Sequence, residues 1–195
     1  MKHATIRALF DYWNERRGWR IAPERNDIDP DAIRRVLADT FILAYNESEG
    51  HPFRIAGTRV AALFGCELKN EAFIELWTAQ SRPLVRDLLG VVAHESIGVV
   101  AGVSAAGIDD GPGIDFELLA LPLIHRGRTD TRLLGALVPT KAPDWLGAPM
   151  LGRLALGTLR YLGPQTLPDD VPYIPPTLSA GRLRRGLTVY DGGQA

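Results

Sequence analysis

The chain has 195 residues, of which 46% are hydrophobic and 23% charged, and its formal net charge at pH 7 is −1. This composition is typical of a globular protein with a core, and it lacks the basic excess of a large nucleic-acid-binding surface. One cysteine excludes an intramolecular disulfide, and the longest apolar stretch, around residues 88–106, is too interrupted to cross a membrane. We therefore expect a reduced, cytoplasmic protein that has no membrane span and no nucleic-acid partner.

The N-terminal region is predicted to be helical. Thr5–Arg17 is expected to form an amphipathic helix because four apolar residues recur at helical spacing. After a loop, Asp29 can cap a second helix that begins at Pro30 and runs to about Leu37. We interpret residues 1–38 as a helical cap ahead of the sheet. The four apolar residues of the first helix are Ile6, Leu9, Phe10 and Trp13.

Two strands and two short helices are predicted next. Asp39–Asn46 is rich in the aromatic and β-branched residues that favour strands, and Phe53–Ile55 is a second short strand. Gly57 ends that strand, and short helices are predicted over Arg59–Phe64 and Glu71–Trp77. Helices of this length are not stable alone, so they must pack against an apolar surface.

A longer helix and three further strands complete the predicted core. The helix covers Ala79–Glu95, and the strands cover Ile97–Ala106, Ile114–Ile124 and Leu133–Val138. The strand at Ile114–Ile124 carries apolar residues on both faces, so both faces of the sheet must be covered. One face would take the short helices, and the other would take the N-terminal helix or a partner subunit.

The sequence changes character near residue 140. Prolines recur from Pro139 onwards, and we interpret 39–140 as the core and 141–195 as a proline-rich C-terminal extension. Within the extension, Leu154–Leu162 alternates in the manner of a strand and can add one strand to the sheet.

Two segments resemble one known family. Tyr12–Pro30 contains YWNERRG and APERNDIDP, and residues 53–65 read FRIAGTRVAALFG, followed by FIELW. These segments resemble PAS domains, most closely the compact single-domain bacterial PAS family that includes alphaproteobacterial motility regulators of the MopJ type. The resemblance covers roughly Ala8 to Pro139.

The resemblance implies a fold and a function. The fold is an α/β (α+β) PAS fold, with a five-stranded antiparallel sheet, short helices on one face, an N-terminal helical cap and a C-terminal extension. The function is that of a non-enzymatic sensory or scaffolding protein that binds histidine kinases or other regulators in cell-cycle or motility control. A homodimer is also implied, and we expect the first helix to supply the dimer or partner surface through Leu9, Phe10 and Trp13.

The alternative function is a sensor or carrier for a small apolar ligand such as a fatty acid or haem. The sequence does not identify a cofactor, and His94, at the end of the long helix, is the candidate haem ligand. A histidine near a helix C-terminus is also stabilised by the helix dipole, whatever its function. The following aromatic and aliphatic residues are predicted either to line a ligand cavity or to fill the core: Phe64, Phe73, Trp77, Leu88, Val92, Leu119, Leu121 and Leu134.

No catalytic arrangement is visible in the sequence. No histidines or carboxylates have metal-ligand spacing, and neither a phosphate-binding loop nor a nucleophile elbow is present. Cys66 lies in the context Gly-Cys-Glu-Leu, unlike the Asn-Cys-Arg-Phe-Leu-Gln context of the flavin-reactive cysteine in blue-light PAS sensors. We expect it to be a small, partly buried residue, and we expect the protein not to be an enzyme.

Overall fold

The computed structural model describes residues 1–107, 113–141 and 151–162. Short 3-10 turns at Arg25–Asp27, Leu37–Asp39 and Phe73–Leu76, and a π-type turn at Val91–Glu95, connect its main elements. In chain order those elements are helix α1 (Ala4–Arg17), strands β1 (Thr40–Ala44) and β2 (Phe53–Ala56), helices α2 (Thr58–Phe64) and α3 (Arg82–Gly90), and strands β3 (Gly98–Gly107), β4 (Ile114–His125), β5 (Arg128–Pro139) and β6 (Leu151–Leu162).

The strands form one antiparallel sheet in the order β2-β1-β5-β4-β3-β6. The prediction of five strands is corrected to six, because β6 pairs along β3 with Val99 opposite Tyr161. This pairing satisfies backbone groups of β3 that would otherwise lie at an open sheet edge. The sixth strand comes from the segment interpreted as the C-terminal extension, and 142–150 and 163–195 of that segment lie outside the described residues.

Both faces of the sheet are apolar and both are covered. Along β4, Leu118 and Ala120 contribute to the cluster under α2 and α3, whereas Leu119 and Leu121 contribute to the cluster under α1. We call these two sides the inner face and the outer face. Alternation along a strand sends successive side chains to opposite faces, so one strand supplies both clusters. The helix α1 of the same chain covers the outer face, which decides between the two coverings that the sequence left open.

The helices differ from prediction at three places. The helix expected from Pro30 to about Leu37 is a series of turns at 30–36 followed by a 3-10 turn, with Ile33 and Val36 buried. Because only these two apolar side chains have to be buried on the outer face, a short turn buries them and a longer helix is not needed. The helix expected over Ala79–Glu95 is shorter, because it begins at Arg82 and changes to the π-type turn after Gly90. The helix expected over Glu71–Trp77 is a 3-10 turn.

Candidate functional site

The inner core is built around a cluster of four aromatic rings. Phe41, Phe53 and Phe73 contact one another, with ring centroids 5.5–5.7 Å apart, and Phe73 contacts Trp77 at 5.6 Å. All four side chains are buried. These tilted and edge-to-face contacts are favourable aromatic geometries, so this part of the inner face is a packed core.

The eight residues predicted either to line one cavity or to fill the core lie on two different faces. Phe73, Trp77, Leu88 and Val92 are buried in the inner core, and Phe64 is partly buried against it. Leu119, Leu121 and Leu134 lie on the outer face instead, among the side chains of α1. The prediction of a single set is therefore corrected. The reason is strand alternation: these three leucines occupy the positions of β4 and β5 that point away from α2 and α3.

The apolar stripe of α1 packs on its own sheet. Leu9, Phe10 and Trp13 are buried in the outer-face cluster, and the indole Nε1 of Trp13 donates a hydrogen bond of 2.8 Å to the carbonyl of Pro122. The expectation that these three side chains form a dimer or partner surface is corrected, since they already contact their own subunit. A helix lying on an apolar sheet face must bury its own apolar stripe there.

The start of the chain is held by a buried carboxylate. Glu117 of β4 accepts hydrogen bonds from the backbone N–H groups of Lys2, at 2.8 and 3.0 Å, and of His3, at 2.7 Å. The imidazole of His3 in turn accepts the N–H of Thr5 at 3.1 Å and caps α1. Glu117 and His3 therefore have structural roles at the start of α1, and the sequence pattern did not indicate these roles.

A cavity of about 290 Å³ opens between the start of α1, α2 and the end of β5. On its wall, the guanidinium of Arg59 donates two hydrogen bonds of 2.6 Å to the buried carboxylate of Asp39, and this interaction raises the pKa of Arg59. The pair connects α2 to the turn before β1. It is a bidentate ion pair of the kind that positions elements, and its charges are mutually satisfied.

A second polar cluster involves His94, the candidate haem ligand. The side chain of His94 is exposed, and its Nε2 lies 3.2 Å from the hydroxyl of Tyr45. The Tyr45 hydroxyl donates to Glu47 at 2.8 Å, and burial, followed by this bond, raises the pKa of Tyr45 to about 12. His94 thus contacts a half-buried tyrosine that packs against the inner core and pairs with the exposed Glu47.

The imidazole of His51 is fully buried beside the same tyrosine. Its ring centroid lies 4.8 Å from that of Tyr45, and its Nδ1 accepts the backbone N–H of Asn46 at 3.3 Å. Burial lowers the pKa of His51 to about 4, so the ring is neutral at pH 7. His51 lies between β1 and β2, and nothing in the sequence pattern indicated its burial.

The loop after α1 presents two apolar side chains to solvent. Trp19 is 89% exposed and Ile21 62% exposed. The loop is nevertheless fixed by hydrogen bonds: Arg20 donates to Asp27 at 2.7 Å, Tyr12 donates to the carbonyl of Asp27 at 3.1 Å, and the N–H of Ile124 donates to Pro23 at 2.9 Å. We call Trp19 and Ile21 the tryptophan surface. The sequence indicated that this segment characterises the family, but it did not indicate which side chains are exposed.

Three further observations concern metal binding, membrane spans and the single cysteine. Among residues 1–107, 113–141 and 151–162, no group of three or more His, Cys, Asp or Glu side chains is arranged to hold a metal ion. No helix in this part of the chain is long and apolar enough to span a membrane. The single cysteine, Cys66, is exposed rather than partly buried as expected.

Comparison with known proteins identifies the family. The PAS domain of an HTR-like protein from Haloarcula marismortui is 15% identical, with a TM-score of 0.39 over 56% of this chain and 90% of that one. A variant of RsLOV is 14% identical, with a TM-score of 0.40 over 58% of this chain and 69% of that one. No curated protein matches the sequence. A family model of the PAS domain matches residues 1–138. The chain therefore belongs to the PAS domain family, whose members are generally sensory and signalling domains.

Proposed function

We propose that this protein is a non-enzymatic sensory or scaffolding module of bacterial signal transduction that binds a histidine kinase or another regulatory protein. The tryptophan surface carries the proposal, because Trp19 and Ile21 are exposed on a loop that hydrogen bonds hold in place. A tryptophan on a fixed backbone loses little conformational freedom when it is buried by a partner. Tryptophan is also among the residues most enriched at the energetic centres of protein interfaces.

The charges near the tryptophan surface suggest what the partner surface looks like. Arg16 and Arg17 lie in the last turn of α1, and Arg20 follows in the loop. We propose that the partner offers an apolar pocket for Trp19 with acidic side chains around its rim. Complementary rim charges of this kind raise the association rate and select the partner, while the apolar anchor supplies most of the affinity.

Several polar side chains of the described residues have structural partners, which supports a non-enzymatic role. Asp39 is paired with Arg59, Glu117 holds the backbone of Lys2 and His3, and His3 caps α1. A catalytic group would instead be expected to face a site where substrate can bind. We propose that the protein acts in the cytoplasm through its contacts with other proteins.

The homodimer expected from the sequence stays a prediction. Because Leu9, Phe10 and Trp13 are buried within one subunit, a dimer would have to use other residues. Sedimentation velocity over a hundredfold range of protein concentration would decide between a monomer and a dimer. A dimer would show as a concentration-dependent increase in the sedimentation coefficient.

One observation favours a ligand sensor as the second candidate function. The indole Nε1 of Trp77 is buried in the inner core and has no hydrogen-bond partner among the described residues. The carboxylate of a bound fatty acid would accept this donor, and an unpaired buried donor is otherwise costly. Absorption spectroscopy and mass spectrometry of a solvent extract test this candidate. A Soret band or one lipid per chain would support it, and a colourless protein without a stoichiometric extractable compound would reject it.

Pairwise binding measurements test the proposed function. The purified protein would be titrated by isothermal calorimetry against the signalling histidine kinases and regulators encoded in the same genome. We expect saturable binding to at least one of them, weakened at least tenfold by Trp19→Ala. A loss of that size corresponds to the removal of an anchor residue at an interface.

A matched variant separates this effect from a general loss of surface hydrophobicity. Ile55 is another exposed apolar residue, 43% accessible and located on the edge strand β2. Ile55→Thr keeps a β-branched residue in the strand, and we expect it to bind the partner like the wild-type protein. Equal binding by the wild-type and Trp19→Ala proteins would overturn the assignment of the tryptophan surface. Failure of every kinase and regulator to bind would overturn the proposed function itself.

A further inference from the structure

Four arginine residues occupy neighbouring backbone positions at one end of the sheet. Arg132 of β5 pairs across the sheet with Ala44 of β1 and Leu123 of β4. Arg132 and Leu134 are two residues apart in β5, so their side chains leave the sheet on the same face. Leu134 lies in the outer-face cluster, so the side chain of Arg132 also lies on the outer face. Arg132 is half-buried there.

The other three arginines approach Arg132 from separate elements. Arg126 lies in the turn between β4 and β5, where its φ is 54°. Arg25 directly follows Glu24, which pairs with Ile124 near the end of β4. The positions of Arg126 and Arg25 are therefore set by turn geometry and backbone pairing.

Arg54 completes the group from the edge strand. The register of β2 against β1 shifts at this position, because Ile42 pairs with Ile55 whereas Leu43 pairs with Phe53, so Arg54 is the extra residue of a bulge. The pKa of Arg132 is lowered first by burial and then by the charges of Arg54, Arg126 and Arg25. Their charges therefore act on one guanidinium.

No carboxylate among the described residues neutralises this group. Ion pairs within residues 1–107, 113–141 and 151–162 involve the N-terminal amine and other arginines, such as Arg128, which pairs with Asp130 at 2.6 Å. Arg132 donates one hydrogen bond, of 2.7 Å, to the backbone carbonyl of Thr131. The charges of three arginines act on the half-buried guanidinium of a fourth, Arg132, and a bound anion would offset that repulsion.

We propose that Arg25, Arg54, Arg126 and Arg132 form a binding site for a phosphate monoester group. A guanidinium offers a planar fork of N–H donors that matches phosphate oxygens, and several forks can share the three terminal oxygens of one phosphoryl group. A phosphoryl group also carries nearly two negative charges at pH 7, whereas a carboxylate carries one. Four cationic side chains therefore favour the phosphoryl group. This site goes beyond the proposed function and does not depend on the tryptophan surface.

The phosphoryl group has two chemical sources, a free phosphate compound or a phosphorylated side chain of another protein. Both are tested on the full chain by NMR of the arginine Nε–H signals. One titration uses inorganic phosphate, and the other uses the acetylated peptide Ala-phosphoserine-Ala. Sodium chloride at the same ionic strength is the reference, because it screens charges without offering phosphate oxygens. We expect saturable shifts of the signals of the four arginines with phosphate or the peptide.

Variants identify the residues that bind. Arg132→Gln and Arg54→Gln are each expected to weaken phosphate binding at least tenfold. Arg132→Lys keeps the charge and loses the forked set of donors, so its affinity for phosphate should lie between that of the glutamine variants and that of the wild type. Lys69→Gln removes one exposed charge from the loop after α2 and is expected to bind like the wild type.

The outcomes are distinct. Equal affinity for phosphate and the peptide would show that the site recognises the phosphoryl group alone. Tenfold tighter binding of the peptide would indicate that the natural ligand is a phosphorylated protein. The site would be ruled out by shifts that match those in sodium chloride, or by Arg54→Gln and Arg132→Gln proteins that bind as the wild type does. The tryptophan surface would remain a separate question, because its test uses Trp19→Ala.

Discussion

The indole of Trp13 and the carbonyl of Pro122 form a buried hydrogen bond of 2.8 Å that joins α1 to β4. Pro122 has no backbone N–H, but its carbonyl still needs a partner in a buried strand. Trp13 supplies that partner and packs its ring on the outer face. The N-terminal helix is therefore part of the folded unit rather than an appendage that waits for a second subunit.

Replacement of Trp13 by phenylalanine tests this relationship. Trp13→Phe keeps an aromatic ring and removes the donor, leaving the Pro122 carbonyl buried without its partner. We expect the free energy of unfolding to fall by about 1–3 kcal/mol, measured by urea denaturation. Trp19→Phe is the control, because Trp19 is exposed and its replacement should change stability by less than about 0.5 kcal/mol. Equal stability of the two variants would contradict the structural role of α1.

Gly57 lies where two backbone segments touch. A Cβ at this position would lie 2.3 Å from the carbonyl oxygen of Ala38 and 2.4 Å from that of Leu37. The φ of Gly57 is −66°, so its backbone conformation is accessible to any residue and only the close approach requires glycine. We expect Gly57→Ala to lower the free energy of unfolding by about 1–3 kcal/mol, because the turn before β1 must move away.

Gly90 provides the matched control for that substitution. It lies in α3, and its Cβ would meet only the hydroxyl of Tyr45, at an ordinary 3.5 Å. Gly90→Ala should leave stability unchanged or raise it by up to about 1 kcal/mol, since alanine favours helix. Thermal unfolding followed by circular dichroism measures both variants. A Gly57→Ala protein as stable as the Gly90→Ala protein would contradict the packing described.

Gly135 and Phe41 face each other across β5 and β1 on the inner face. A Cβ at Gly135 would lie 2.3 Å from the Cζ of Phe41 and 2.8 Å from the carbonyl oxygen of Leu119. Gly135→Ala should therefore destabilise the protein by about 1–3 kcal/mol. In a double-mutant cycle with Phe41→Leu, the second change should recover part of that loss, because the smaller side chain can retreat but the backbone carbonyl cannot. Strict additivity of the two changes would show that the ring does not lie over Gly135.

The buried imidazole of His51 predicts a pH dependence of stability. Its pKa in the folded protein is about 4, lowered by burial, against roughly 6.5 in an unfolded chain. As the pH falls from 6.5 towards 4, His51 binds a proton in the unfolded chain but not in the folded protein. The free energy of unfolding therefore decreases across that window by up to about 3 kcal/mol. Glu47 opposes the decrease in the pKa of His51, and Arg86 adds to it.

The contribution of His51 can be isolated with His51→Asn. Asparagine tolerates the positive φ of 59° at this position and does not titrate. The difference in unfolding free energy between variant and wild type should be constant above pH 7 and should change in favour of the variant between pH 6.5 and 4. A difference that is flat over the whole range would mean that His51 is not a buried neutral group in the folded protein.

The sequence allowed most strands to be predicted because their alternation and turn residues agree with the fold. The strands observed at Thr40–Ala44, Phe53–Ala56 and Ile114–His125 lie within two residues of their predicted bounds. The same pattern could not assign the two apolar faces of β4, because both are equally hydrophobic. Leu119 and Leu121 were therefore grouped with the inner-face residues as cavity or core candidates, and they lie in the core under α1.

Features that depend on contacts distant in sequence were not predictable. The helix expected from Pro30 is a set of turns, because its short apolar face is satisfied by packing on the outer face of the sheet. The pairing of Asp39 with Arg59 joins a turn to a helix, and the positions of Arg54 and Arg132 are set by sheet register. The exposure of Trp19 could not be predicted either, because Trp13 and Trp19 lie in the same family-like segment and only Trp13 is buried.

One measurement tests the central claim, which is that the protein signals through its tryptophan surface. The protein would be labelled with 5-fluorotryptophan, and the ¹⁹F NMR signals of its four tryptophans, Trp13, Trp19, Trp77 and Trp145, would be assigned with single Trp→Phe variants. The tightest-binding histidine kinase or regulator would then be added to saturation. We expect the Trp19 signal to shift while those of the buried Trp13 and Trp77 stay in place. A shift of Trp77 with an unchanged Trp19 signal would contradict the account and would place the response in the inner core.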